Sequence, residues 1–203
     1  MIELDFEKRI AAYQETFPKW PAPTIGSDGR LQGIWILGND YRNRMNYYGT
    51  FPPNYLRRLG VLFPEIYTND CLHLFSGALR KEDVGDASRL DVSDEYLPDI
   101  NCDIANLDTS LLGDRFEIIS ADPPYSGEDA EHYGVPLINR NQAMIKCHQM
   151  LKPGGLILWL DQVLPMYSKQ YFKIVGIIGV VRSTNHRFRC IVMFQKQETG
   201  VAT

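Results

Sequence analysis

Asp122, Pro123, Pro124 and Tyr125 follow directly on the apolar run 116–121, and together they combine acceptors, rigidity and a flat ring. Both prolines lack an N–H and hold φ near one value, so the segment is stiff and cannot prolong a sheet ladder. Their carbonyls and the Asp122 carboxylate remain as acceptors suited to an exocyclic amino group. Tyr125 adds a π-face on which a heteroaromatic base can stack. Acceptors for an NH₂ group beside a stacking ring describe a pocket for an amino-bearing base. The plainer reading is a proline-stiffened turn with an incidental tyrosine, and four residues alone do not choose between the two.

Such a loop needs a sheet to hold it. Ile2, Phe6, Ile10, Tyr13 and Phe17 recur at helical spacing, and the run 18–23, with three prolines, ends that helix. A strand is expected over 31–37, and Pro52-Pro53 opens a helix with Leu56, Leu59 and Phe63 on one face. From residue 70 the pattern becomes strand and loop: strands over 71–75, 88–92, 100–102 and 116–121. Ala143, Met144, Cys147, Met150 and Leu151 then form a helical stripe stopped by Lys152-Pro153-Gly154-Gly155. The run 156–160 is continuously apolar, as in a strand buried on both faces, and 173–181 with 190–195 reads as a closing hairpin. The expected fold is α/β: a Rossmann-like, doubly wound, mostly parallel sheet with a C-terminal antiparallel hairpin. Residues 1–37 form an N-terminal helix and strand extension to a main domain over 38–203.

Composition narrows the class. At 203 residues, 44% hydrophobic and 23% charged, the chain suits one globular domain with an ample core. The longest apolar candidate, 172–181, carries Lys173 and reaches about half of the ~20 residues a membrane span needs. The acidic start Met1-Ile2-Glu3-Leu4-Asp5 is unlike a secretory signal, so a cytoplasmic protein with no membrane partner is expected. Four cysteines without a CxxC pair and four histidines without ligand spacing predict no metal site and reduced thiols. Charge is uneven: residues 61–138 hold 17 acids and 4 bases, whereas 139–203 hold 2 acids and 9 bases. That division separates an acidic side from a basic side able to face a polyanion, unless it is only the ordinary variation of a solvated surface.

In a doubly wound sheet, ligands bind beyond the carboxyl ends of the strands. Four marked segments fall there. Phe75-Ser76-Gly77 ends the first strand after residue 70, and a glycine lets a ligand approach the backbone. Asp91 ends the second, where a carboxylate can accept both hydroxyls of a ribose. Asp103 ends the third, able to accept an adenine amine, with Ile104 beside it to pack on a ring. Asp122 to Tyr125 ends the fourth. Alone, Gly77 is a turn glycine and each aspartate a solvated strand end; their agreement makes the case.

In this order the segments resemble the motifs of class I S-adenosylmethionine-dependent methyltransferases. Asp122-Pro123-Pro124-Tyr125 is similar to the catalytic loop of the members that methylate adenine N6 or cytosine N4. The resemblance covers roughly 47–195 and includes Lys152-Pro153-Gly154-Gly155 before an apolar strand, and Tyr47-Tyr48-Gly49 with Phe63-Pro64 as the upstream motif of DNA adenine enzymes. It implies S-adenosylmethionine as cofactor, held by Tyr48, Phe75, Ser76, Gly77, Asp91, Asp103 and Ile104, and catalysis at Asp122, Pro123, Pro124 and Tyr125. It implies transfer to a base amine of nucleic acid, adenine N6 in DNA first, in a bacterial or phage-infected cell. The basic tip with Arg182, His186, Arg187 and Arg189 is then expected to face nucleic acid, or else to be a solvated hairpin. One departure is plain: only thirteen residues separate Gly77 from Asp91, too few for the family's full first helix, so Arg80, Lys81 or the Tyr47–Gly49 segment is expected to replace its contacts. Two alternatives stay open: a base-amino methyltransferase acting on RNA, and a catalytically silent cofactor- or nucleic-acid-binding subunit that works through a partner protein or as a homodimer.

Overall fold

A computed structural model describes residues 2–38, 54–132, 137–182 and 188–198. Nine strands form one sheet: β1 (Thr24–Ile25), β2 (Leu31–Leu37), β3 (Cys71–Leu74), β4 (Ser88–Asp91), β5 (Ile100–Asn101), β6 (Phe116–Ala121), β7 (Leu151–Asp161), β8 (Phe172–Arg182) and β9 (Phe188–Lys196). Their order is β1-β2-β8-β9-β7-β6-β3-β4-β5. Strands β5, β4, β3, β6 and β7 are parallel, and β9 runs antiparallel to both β7 and β8. The chain moves outward from β3 through β4 to β5, then returns to the other side of β3 with β6. That reversal makes the crevice between the ends of β3 and β6 the natural ligand site of this sheet. The architecture is the doubly wound one with a C-terminal antiparallel hairpin, as expected.

Five helices accompany the sheet among the described residues: α1 (Phe6–Thr16), α2 (Tyr55–Leu62), α3 (Lys81–Val84), α4 (Gly127–His132) and α5 (Arg140–Met150). The Asp5 side chain caps α1 by accepting the Lys8 N–H at 3.0 Å, satisfying one otherwise orphaned donor. The apolar stripes of α1 and α2 cover one sheet face, where Tyr13, Leu59, Leu62 and Phe63 meet Leu31, Trp35, Ile178 and Ile191. Arg9 fixes α1 to the turn after α2, donating to both Glu65 carboxylate oxygens and to the Leu62 carbonyl. On the opposite face Ala143, Met144, Cys147 and Met150 of α5 pack on Leu72, Ile119, Ile157, Trp159 and Phe194. Burial on both faces explains why β6 and the second half of β7 read as unbroken apolar runs.

The outer β2–β8–β9 face differs. Residues 162–171 lead from β7 to β8 without a helix; Tyr167 packs on Phe194 at the β9 end, while the β2 side of the face stays open among the described residues. Ile34, Ile36, Ile177 and Phe188 are exposed on it, and a shallow groove runs beneath Ile34 and Phe188 past Gln32 and Cys190. No helix of the described residues is long and apolar enough to cross a membrane.

Helix α5 stops just before Lys152-Pro153-Gly154-Gly155, as expected, but the segment itself lies inside β7 and not ahead of it. Helix α5 ends at Met150 and β7 begins at once with Leu151, paired to Phe116. The next matched pair is Ile118 with Leu156, so the proline and glycines form an irregularity inside the strand. Gly154 takes φ +73°, which an L side chain rarely adopts.

Gly60 is a close-approach position. A Cβ there would lie 2.3 Å from the Tyr67 ring, whose hydroxyl donates to the Leu56 carbonyl. Gly60→Ala is therefore expected to displace Tyr67 and cost about 1–3 kcal/mol, read as a lower urea midpoint with an unchanged slope.

Candidate active site

At the end of β3 the chain turns sharply. Phe75 adopts φ +61° and Gly77 φ +47°, both left-handed, and the Ser76 N–H donates to the Leu90 carbonyl of β4. The Gly77 N–H donates 2.7 Å to Asp91 Oδ2, while Asp91 Oδ1 accepts the Ser93 N–H at 2.9 Å. The structure thus joins two of the predicted residues, Gly77 and Asp91, across adjacent strand ends. Beyond β5 the Cys102 N–H donates to the Asp91 carbonyl, and Asp103 Oδ1 accepts the Ala105 N–H at 2.9 Å. Ile104 lies beneath this turn, 4% exposed and packed into the α5-side core. Phe75 meets the Trp159 ring edge-on with centroids 6.3 Å apart.

The link between Gly77 and β4 carries only α3, a four-residue helix. Lys81 Nζ donates to the Ala87 carbonyl at 2.7 Å, so it is committed within the link, and Arg80 extends outward near Glu82. Buried Arg89 braces the region from below, donating to Asp99 Oδ2 and to the Leu79, Tyr96 and Leu97 carbonyls. Tyr48, with the whole Tyr47–Gly49 segment, lies outside the described residues.

The Asp122 loop continues β6 and starts beside β3, with the Asp122 N–H donating to the Leu74 carbonyl. Asp122 Oδ1 accepts a short hydrogen bond from the Tyr125 hydroxyl. The same hydroxyl accepts from Arg189 Nη1 at 2.6 Å, and the guanidinium carbon stands 5.2 Å from the centre of the Tyr125 ring. Arg189, expected among the residues facing nucleic acid, is only 7% exposed and turned into this cluster. Tyr55, the first residue of α2, is buried and near enough to feel both Asp122 and Arg189. Asp122 keeps some exposed surface, yet protein atoms crowd its carboxylate enough for desolvation to dominate. That burial pushes its pKa up to about 6, against the opposing pull of Arg189 and the Tyr125 hydroxyl, with Asp161 adding a further upward push.

A second cluster holds the loop from behind. Arg140, first residue of α5, donates Nε to Asp161 Oδ2 at 2.7 Å and Nη2 to the Tyr125 carbonyl at 3.0 Å. Asp161, 3% exposed at the carboxyl end of β7, also accepts the Trp159 indole N–H and the Gln162 and Val163 amides. One ion pair therefore ties α5, the Asp122 loop and the β7 end together. Arg140 Nη2 also stands 3.4 Å from the Pro124 carbonyl, so the loop backbone is held at two successive carbonyls, while Pro123 itself is buried. Arg182 ends β8 half-buried, while His186 and Arg187 lie outside the described residues.

Arg140, Asp161 and Tyr55 did not stand out in the sequence. A signal for Arg189 existed: it shares inward parity in β9 with Ile191 and Met193, both buried under α1 and α2. A charged residue in an inward register calls for a buried partner.

No family model matches this chain, and no curated protein matches it. Several solved structures are similar in part. A tRNA methyltransferase from Aquifex aeolicus superposes with a TM-score of 0.46 at 13% identity, over 75% of this chain and 72% of that one. A didemethyltoxoflavin methyltransferase from Burkholderia thailandensis, solved with S-adenosylhomocysteine, gives 0.43 at 13% identity over 63% and 71%. An aminoglycoside-resistance methyltransferase gives 0.34 at 12% identity over 54% of this chain, and the match spans 63% of its own length. With identities this low and superpositions this partial, none of these likenesses decides what the chain acts on.

Proposed function

We propose that this protein transfers a methyl group from S-adenosylmethionine to the exocyclic amine of a nucleobase, adenine N6 in DNA. The observation that carries the reading is the crowded Asp122 carboxylate at the sheet's reversal point, one strand from the Gly77–Asp91 turn. The neighbouring strand ends suit the donor's nucleoside chemically. Each Asp91 oxygen takes a single backbone N–H, leaving each a lone pair for a ribose hydroxyl. Asp103 commits one oxygen to Ala105, and its other oxygen would accept the adenine amine of the donor. Gly77 has no side chain to oppose close approach of the methionine portion. When bound, the donor supplies a methyl group on a sulfonium sulfur; the C–S pair stays on sulfur as the amine nitrogen takes the carbon.

The chain's own residues meet the difficulty on the acceptor side. The amine lone pair is conjugated into the base and is a poor nucleophile. Asp122 and the Pro123 carbonyl would accept its two N–H bonds, drawing nitrogen toward tetrahedral geometry as the new bond forms. The proton then leaves the nitrogen to Asp122 or to water. Tyr125 offers the stacking surface, its ring anchored through its hydroxyl. A base in duplex DNA must first leave the stack, at about a few kcal/mol. Arg182, with His186 and Arg187 beyond it, is assigned to the phosphates. Adenine is chosen over cytosine, and DNA over RNA, on the resemblance of the loop to adenine enzymes.

The reading requires ionised Asp122, which fixes the sign of the pH dependence. The group is protonated below its folded-state pKa of about 6 and charged above it. Log kcat/KM is therefore expected to rise by about one per pH unit up to that value and then level off. A profile flat through pH 5–7, on the order of one unit either side, would remove the carboxylate from the chemistry. The substrate is tested by incubating the chain with tritiated-methyl S-adenosylmethionine and unmethylated DNA or RNA, then identifying the labelled nucleoside. N6-methyladenine from DNA is expected. Label in RNA alone would reassign the acceptor, and label in neither would overturn the proposal.

A further inference from the structure

We propose that Arg189 is a positioning residue of this site, holding the Tyr125 ring and the Asp122 carboxylate in the arrangement that receives the acceptor amine. The inference rests on the methyl-transfer reading for its kinetic consequence, but its geometric part stands without it. Arg189 reaches the loop from β9, 64 residues away in the chain, and places Nη1 2.6 Å from the Tyr125 hydroxyl. That hydroxyl has one proton, which it gives to Asp122. With Arg189 donating to it, the hydroxyl can orient its proton only toward the carboxylate, so the three groups form a directed chain: guanidinium to phenol to carboxylate. The guanidinium also lies within cation–π range of the ring. The phenol therefore cannot swing away without giving up both contacts.

The charges around Asp122 come from four elements. Tyr125 lies on its own loop, Arg189 on β9, Tyr55 on α2 and Asp161 on β7, the last already neutralised by Arg140 of α5. Arg189 is the one cation of this set that acts on Asp122 itself. A residue serving phosphates would be exposed, whereas Arg189 is 7% exposed and its Nε has no partner among the described residues. Losing the guanidinium leaves a crowded carboxylate without its opposing charge, so the carboxylate takes up a proton at higher pH.

The test compares wild type, Arg189→Met and Arg189→Lys by two readouts. The first is carbon-13 NMR titration of the Asp122 carboxyl, which needs no substrate. Arg189→Met is expected to raise its midpoint by roughly one pH unit or more, and Arg189→Lys to restore most of the wild-type value. The second is the pH profile of methyl transfer. Its acid limb should move upward by the same amount in Arg189→Met, with kcat at neutral pH down roughly a hundredfold and the donor's Kd unchanged. A merely structural arginine would lower the melting temperature without moving either midpoint. An unmoved NMR midpoint in a folded Arg189→Met, or in Arg189→Gln should the methionine variant not fold, overturns the proposal whatever the activity. A moved midpoint in a protein that methylates nothing upholds the coupling and defeats the methyl-transfer reading instead.

Discussion

Asp122→Ala is expected to lower single-turnover methyl transfer by roughly a hundred- to a thousandfold while leaving donor affinity within about a factor of three. The asymmetry follows from position. Asp122 ends β6, whereas the carboxylates suited to the donor's nucleoside end β4 and β5 on the far side of β3. Removing Asp122 deletes one of two acceptors for the amine and frees the Tyr125 hydroxyl, so both the pull on nitrogen and the ring's anchorage fail together. Asp122→Asn is the sharper comparison. It preserves shape and one acceptor oxygen, but presents an NH₂ where the substrate needs a lone pair. A similar loss is expected. Full turnover in either variant would remove Asp122 from the mechanism.

The second large effect concerns the buried pair behind the loop. Arg140→Met leaves Asp161, 3% exposed, with only the Trp159 indole and two backbone amides as donors. Uncompensated buried charge of this kind costs about 3–5 kcal/mol. For a chain of this size that corresponds to a melting temperature lower by roughly 6–20 °C. Methyl transfer should also fall, because Arg140 holds the Tyr125 carbonyl in place. The double variant Arg140→Met, Asp161→Leu removes both charges and is expected to recover a substantial part of the stability but little of the activity. Additive losses in the double variant would mean that the two side chains act independently.

Most of the scaffold was legible in the sequence because β6 and the second half of β7 are apolar runs and the strands of the doubly wound half are closed within a few residues by Gly77, Asp91, Asp103, Asp122 or Asp161. The segments 71–75, 88–92 and 116–121 differ from the observed strands by one residue at most, since burial on both faces leaves little freedom in composition. The start of β7 was not legible. Lys152-Pro153-Gly154-Gly155 carries every local sign of a stop, and only pairing with β6 absorbs it into the strand. The four strand-end segments stood out because glycine, aspartate and the proline pair are distinctive locally, and the fold brings all four to the carboxyl ends of neighbouring strands. Arg140, Asp161 and Tyr55 were missed because their significance lies in a partner distant in sequence: Arg140 meets Asp161 across 21 residues, and Arg189 meets Tyr125 across 64. Nothing in the flanking residues names either partner, although the inward parity of Arg189 with Ile191 and Met193 calls for one. The reassignment of Arg189 from surface to interior shows the same limit, since a basic residue beside a hairpin tip reads as solvated until its register is known.

Titration of S-adenosylhomocysteine into the purified chain by calorimetry, alongside Asp91→Ala, tests the account most directly. Saturable one-to-one binding by the wild type, weakened at least about tenfold in Asp91→Ala, is the predicted result. No heat of binding from a folded wild-type chain, or equal affinity in the variant, would contradict a nucleoside site at the ends of β3, β4 and β5.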